Sequence, residues 1–235
     1  LAHASRIPFE NLDILLGRPI RLDLEALQAK LVGEARGGYC FEQNALFAAV
    51  LERLGYAVTR LAARVRYRTT RLLPRTHMLL LVEAGGASWV ADVGFGLEGL
   101  LMPLPLRPAE EARQYGRTYR LVADTGGWVL QMHDGGAWAD LYAFTLEPQF
   151  PADYAMAHHY TSTHPDSGFV RNLVVQLPGV VRRKVLRNRE LAIEEAGSVA
   201  RRTIESDDEL VDVLAAEFGL RLPPGSRLRV PDPGA

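Results

Sequence analysis

The stretch RGGYCFEQNALFAAVLERLGYAVTRLAARVRYR, Arg36–Arg68, changes its period halfway along. From Cys40 to Leu54 the apolar residues recur three and four apart, with Leu46, Phe47, Val50, Leu51 and Leu54 in one stripe. That spacing predicts a helix stopped by Gly55. Beyond Gly55 the period is two: Leu61, Ala63, Val65 and Tyr67 share one face, and Arg60, Arg64, Arg66 and Arg68 lie largely on the other. Working outward, residues 23–33 read as another helix, capped by Asp23, striped by Leu24, Leu27 and Leu31, and ended by Gly33. Downstream, His77–Ala84 and Ser88–Val93 flank Gly85-Gly86 and read as a hairpin. Strands are expected at Tyr119–Ala123, Trp128–His133 and Ala137–Phe144, with Gly-Gly turns between them. Short strands so joined predict a small barrel or curled sheet. Residues 145–172, with Pro148, Pro151 and Pro165, read as irregular. Strands resume at Leu173–Leu177 and Val180–Arg187, a helix opens at Ser206 and runs to Phe218, and the proline-bearing tail from Leu222 is expected to be extended. Helices, then strands, then a mixture of both make an α+β pattern of three lobes.

Composition narrows the function classes. The chain has 235 residues, enough for one large domain or a few small lobes sharing a core. Lys plus Arg number 27 and Asp plus Glu 28, so no global charge recommends nucleic acid or an anionic membrane as a partner. No apolar run reaches the ~20 residues of a membrane span. The opening Leu1-Ala2-His3-Ala4-Ser5-Arg6 is neither a signal peptide nor a Met start. A cytoplasmic protein is expected, with residues missing upstream. One cysteine, Cys40, excludes an internal disulfide and a multi-cysteine zinc site.

That cysteine sits in Arg36-Gly37-Gly38-Tyr39-Cys40-Phe41-Glu42, where two glycines allow a tight path into a helix. Unpaired N–H groups and the positive end of a helix favour a thiolate there. Alone, Cys40 reads first as a small buried hydrophobe. The hairpin changes that weighting. With Gly85-Gly86 at its tip, His77 lies opposite Gly94, and Asp92 is its diagonal neighbour on the same face, roughly 7–8 Å away at Cα. A turn at Ala84-Gly85 makes the two directly opposite. A histidine steered by an aspartate and brought to an activated cysteine is the layout of a nucleophilic triad. A zinc site from His158, His159 and His164 lacks regular spacing, and no metal is expected. Arg64, Arg66, Arg68, Arg71 and Arg75 make a basic segment whose ordinary meaning is a solvated strand face and whose other reading is phosphate contact.

At this point a resemblance enters. Ile7-Pro8-Phe9-Glu10-Asn11-Leu12, the Arg36–Glu42 motif, Arg75-Thr76-His77, Asp92-Val93-Gly94-Phe95-Gly96 and Ser162–Phe169 resemble the ordered motifs of the arylamine N-acetyltransferases. The resemblance runs from Ile7 to about Pro178. It implies an α+β fold with a helical lobe (1–55), a central antiparallel β-barrel (56–150) and a C-terminal α/β lid (151–235) around a thiol-protease-like Cys-His-Asp core. Family members usually carry a further helical segment before the Ile-Pro-Phe-Glu-Asn motif, so the first lobe is expected to lack it here. The implied catalytic residues are Cys40, His77 and Asp92. Implied walls for the acceptor ring are Phe9, Val65, Phe95 and Phe169, and Thr76 and Gly94 are implied to meet the thiol end of the cofactor. Glu10 and Arg36 are expected to pair, and Asn44 to support the triad. The donor implied is acetyl-coenzyme A as co-substrate. The acceptor is an aromatic amine, hydrazine or N-hydroxyarylamine, reached through an acetyl-cysteine by ping-pong transfer in xenobiotic metabolism. A homo-oligomer is left open. The competing readings are a family-related amide synthase, a thiol peptidase or transglutaminase-like enzyme, and a non-catalytic binding domain.

Overall fold

The computed structural model describes residues 1–133, 135–223 and 225–230. Its first elements are short: α1 (Ala2–Arg6), β1 (Phe9–Glu10), α2 (Leu12–Leu15) and α3 (Leu24–Leu27). Asp23 caps α3 by accepting from the Ala26 N–H at 3.1 Å, as its position predicts. The helix expected over 23–33 then widens: Gln28–Gly33 form a π-helical turn, and the Glu34 N–H reaches back to the Ala29 carbonyl at 2.8 Å. The wider turn accompanies an inward Lys30, whose Nζ lies 2.6 Å from both Asp13 and Glu42.

α4 (Cys40–Arg53) ends where Gly55 adopts a φ of +88°. The stripe read from its sequence is only partly the face it buries: Leu46 is buried, and Phe47 and Leu51 pack half-buried against the core around Cys40. Val50 is 46% and Leu54 69% exposed, whereas Cys40, Phe41, Glu42, Gln43 and Asn44 are all buried. The reason is that α4 is enclosed at its N-terminal end, and its last turns lie at the surface. There burial follows distance along the axis more than angle around it.

Eight antiparallel strands form the nearly closed sheet: β2 (Ala57–Val65), β3 (Arg75–Ala84), β4 (Ala87–Ala91), β5 (Leu104–Pro105), β6 (Ala112–Gln114), β7 (Arg117–Asp124), β8 (Gly127–His133) and β9 (Trp138–Phe144). Their order is β5-β4-β3-β2-β9-β8-β7-β6. The inward residues of alternating strands, among them Leu61, Leu79, Val90, Leu121, Leu130 and Tyr142, pack into one core. The β3–β4 hairpin has the register read from its glycines, with Leu80 opposite Ala91 and Ala84 opposite Ala87.

Residues 145–172 are not irregular throughout. They hold α5 (Pro151–Thr163) and α6 (Gly168–Arg171). Pro151 occupies the first helical position, where its missing N–H costs nothing, and Asp153 accepts from the Phe150 N–H at 2.8 Å. The prolines that argued for a loop therefore mark a helix start and the chain beyond its end. After α6 come β10 (Val174–Leu177), β11 (Arg182–Arg187), β12 (Glu190–Glu195), β13 (Ser198–Thr203) and α7 (Asp207–Phe218). β12 and β13 were not expected: β13 is exposed along its whole length and carries no buried alternation to read. Its ladder to β12 and the left-handed Ala196-Gly197 turn define it instead. α7 is capped as predicted, the Ser206 Oγ accepting from the Glu209 N–H at 3.1 Å.

This second sheet runs β1-β10-β11-β12-β13, so its first strand comes from the beginning of the chain. Its own core includes Leu12, Val175, Leu186, Leu210 and Phe218, with Leu222 and Leu228 of the tail packed against it.

Candidate active site

The loop before Cys40 is built by close backbone approach. A Cβ on Gly37 would stand 2.2 Å from the Pro8 carbonyl oxygen. The Gly38 N–H donates to that carbonyl at 3.2 Å, and the Gly38 carbonyl accepts from the Glu10 N–H at 3.1 Å. The expected Glu10–Arg36 pair is present, with Arg36 Nη2 2.8 Å from Glu10 Oε1, and Arg36 also reaches Asp13 at 3.2 Å. Gln43, one turn beyond Tyr39, donates to the Pro8 and Gly38 carbonyls at 3.0 and 3.1 Å. Sequence reading missed Gln43; its only signal was a polar residue three positions after the cysteine.

Cys40 is thus the first residue of α4 and is buried, at 4% exposure. Its thiol donates to the Thr76 carbonyl at 3.6 Å. His77 follows Thr76 on β3, and Asp92 lies one residue beyond β4. The hairpin brings them together: His77 Nε2 is 2.7 Å from Asp92 Oδ2, both side chains buried. With Nε2 engaged, the other ring nitrogen is the one free to hydrogen-bond the Cys40 side chain. Asn44, one helical turn after Cys40, donates to Asp92 Oδ1 at 3.0 Å and to the Met78 carbonyl at 2.7 Å, and accepts from the Val93 N–H at 3.1 Å. The Gly94 N–H also donates to Asp92 Oδ1, at 2.8 Å.

The electrostatics follow from these contacts. Burial by itself would lower the His77 pKa; the Asp92 carboxylate, its hydrogen bond and Cys40 outweigh that and carry it up to about 10. Burial works against Asp92 ionisation, yet His77, Asn44 and the Gly94 N–H hold its carboxyl below the ordinary range. Glu42, fully buried two residues after Cys40, is pushed up to about 7 by burial, only partly offset by Lys30. Its Oε2 accepts from the Tyr39 N–H at 3.1 Å, capping the helix that starts at Cys40.

Three of the four expected ring walls stand beside this cluster. Phe95 packs edge-on to His77, with centroids 5.1 Å apart, and Tyr142 lies 4.9 Å from the same imidazole. Phe9 and Phe169 pair at 5.7 Å within the apolar cluster that holds Cys40. Val65 lies opposite Tyr142 across β2 and β9 and also lines a cavity of about 270 Å³ at the β2–β3 loop, with Arg64, Arg66, Thr69 and Arg71. Gly94 packs on the nucleophile's backbone, since a Cβ there would lie 2.7 Å from Cys40 Cα. A separate cavity of about 640 Å³ opens on the α4 face of Phe41, Ala45 and Ala49. Of the basic segment, Arg66 is taken by Asp124 and Asp140, Arg75 by Glu147, and Arg68 covers the Tyr67 ring.

His158, His159 and His164 do not converge. His158 meets the Tyr39 hydroxyl and the Ile20 carbonyl, and His164 stacks on Tyr160 at 4.6 Å. Among the described residues no group of three His, Cys, Asp or Glu side chains could hold a metal ion, and no helix is long and apolar enough to cross a membrane.

Comparison with known proteins agrees with this geometry. A sequence profile of the N-acetyltransferase family matches residues 1–227. An arylamine N-acetyltransferase of Mycolicibacterium smegmatis is 40% identical over 227 residues, covering 94% of this chain and 82% of the relative. The solved arylamine N-acetyltransferase of M. tuberculosis superposes with a TM-score of 0.88 at 40% identity, over 92% of this chain and 82% of that one. The Mycobacterium marinum arylamine N-acetyltransferase, solved in complex with CoA, superposes with a TM-score of 0.87 at 37% identity, over 93% and 83%. A lone cysteine opening a helix, on a barrel and second sheet matched this far along the chain, makes this protein an enzyme of the arylamine N-acetyltransferase family.

Proposed function

We propose that the chain moves an acetyl group from acetyl-coenzyme A, through an acetyl-Cys40 intermediate, to the nitrogen of an aromatic amine, hydrazine or N-hydroxyarylamine. The observation that carries the reading is the buried Cys40–His77–Asp92 cluster at the start of α4. His77, whose pKa Asp92 helps raise to about 10, is the base that takes the thiol proton as Cys40 attacks. The Cys40 thiolate attacks the thioester carbonyl carbon, the bond from that carbon to the coenzyme A sulfur breaks, and the departing thiolate takes the proton from His77. The amine then attacks acetyl-Cys40, its proton passes to His77, and the Cys40 thiolate leaves. Asp92 steers the ring throughout and balances its charge. Backbone N–H groups around Cys40 stabilise the tetrahedral oxyanion.

Thr76 and Gly94, both against Cys40, meet the thiol end of the donor. Phe95, Phe9 and Phe169 seat the acceptor ring. Val65, on the cavity of the arginine-rich loop, is the weakest wall. The donor reading draws further support from the M. marinum relative solved with CoA. A cytoplasmic location, where acetyl-coenzyme A is made and used, belongs to the same reading.

Intact-mass spectrometry tests it. Protein mixed with acetyl-coenzyme A gains one acetyl group on Cys40 and loses it when an aromatic amine is added. Cys40→Ala gains none and releases no coenzyme A. An unacetylated wild-type protein, or a Cys40→Ala variant that still turns over, overturns the proposal.

A further inference from the structure

The segment after Asp92 is pinned at three places. Its start is held by the Gly94 N–H on Asp92 Oδ1. Its end is held from the barrel, where the Tyr119 hydroxyl donates to the Glu98 and Gly99 carbonyls at 3.2 and 3.0 Å. Its middle is held by the other sheet. The Leu97 N–H donates to Gln176 Oε1 of β10 at 2.9 Å, and the Leu97 carbonyl accepts from Arg183 Nη2 of β11, a guanidinium on a residue only 8% exposed. The fit is tight. Gly96 has a φ of +91°, and a Cβ there would stand 2.0 Å from Gln176 Oε1 and 3.7 Å from Phe9 Cγ.

Gln176 does a second thing: its backbone pairs with Phe9 across β1 and β10. One residue therefore joins the strand that carries Phe9 to the loop that carries Phe95. By contrast, the hydrogen bonds of Cys40, His77 and Asp92 come from α4, from the barrel and from the hairpin end, through Asn44, Thr76 and Gly94. We infer that Gln176, with Arg183, is a positioning residue for the amine acceptor: its side-chain amide sets the gap between Phe9 and Phe95 and makes no hydrogen bond to Cys40, His77 or Asp92. This rests on the acetyl-transfer reading above and adds which residues define its acceptor seat.

Two half-reactions separate the claims. Release of coenzyme A in a single turnover reads the nucleophile, and the KM for an aromatic amine in steady state reads the seat. Gln176→Leu keeps the bulk and loses the acceptor oxygen. It is expected to release coenzyme A at the wild-type rate while its amine KM rises on the order of ten-fold, the worth of one lost hydrogen bond. Gln176→Glu keeps an oxygen for the Leu97 N–H and restores most of the affinity. Arg183→Met, which frees the Leu97 carbonyl, supplies the same readout should Gln176→Leu fail to fold. An amine KM unchanged in the folded variants, or acetylation and transfer falling together without rescue by Gln176→Glu, overturns the inference while leaving acetyl transfer intact. Wild-type protein that neither releases coenzyme A nor becomes acetylated overturns both.

Discussion

In the proposed reaction Asp92 acts through charge rather than contact with substrate. Burial disfavours an imidazolium at His77, and the Asp92 charge is the largest contribution that offsets this, ahead of Cys40. Asp92→Asn is therefore expected to slow coenzyme A release by roughly 10³- to 10⁴-fold, as loss of the orienting carboxylate does in related triads. Stopped-flow thiol detection measures it. The same pair gives stability a pH signature. His77 titrates higher in the fold than in the unfolded chain, so its contribution is complete below about 6.5, and it is lost as pH rises through about 10. The difference in melting temperature between wild type and Asp92→Asn should shrink over that interval. Glu42 has the same sign for a different reason. Its raised value, about 7, means that the fold favours its protonated form, so its contribution is lost as pH rises from about 4.5 through about 7. Glu42→Gln should flatten the fall of denaturant midpoint across that range. That Cys40, His77 and Asp92 come together was legible in the sequence because its signals are rare: one cysteine, framed by glycines, and one hairpin whose turn fixes its register. Gln43, Lys30 and Tyr142 were not, because a buried glutamine, lysine or tyrosine looks like a surface one until its partners are known.

Elements carry the second kind of constraint, close approach. Gly94 lies against the first turn of α4, and a methyl group there would meet Asn44 Nδ2 at 2.6 Å and Cys40 Cα at 2.7 Å. Gly94→Ala is expected to push hairpin and helix apart and to remove coenzyme A release while leaving the far-ultraviolet circular dichroism unchanged. A folded variant that retains the wild-type burst contradicts this. Strands bounded by Gly-Gly turns were legible because turn and alternation agree. α5 was not, since three prolines nearby read as a loop when one of them in fact begins a helix. β12 and β13 were invisible for a simpler reason. Period two reports a half-buried face, and β13 has none.

At the scale of the molecule the first residues of the chain are tied to the second sheet and to α6. Asn11 donates to the Phe169 and Asn172 carbonyls, both at 2.7 Å, and accepts from the Val174 N–H at 2.8 Å. Asn11→Ala strands three backbone groups at a fully buried position and is expected to cost about 3 kcal/mol or more, measured as a lower urea midpoint. A shift smaller than that of an ordinary surface substitution would contradict this account. β1 extends the dependence. Its two residues contact Gly38 before the nucleophile on one side and β10 on the other. A nascent chain therefore cannot complete the setting of Cys40 when the cysteine leaves the ribosome. It must wait for Val174–Leu177, well over a hundred residues later in synthesis. Until then the thiol is unguarded, so oxidation or premature chemistry at Cys40 is a hazard of translation rather than of the finished enzyme.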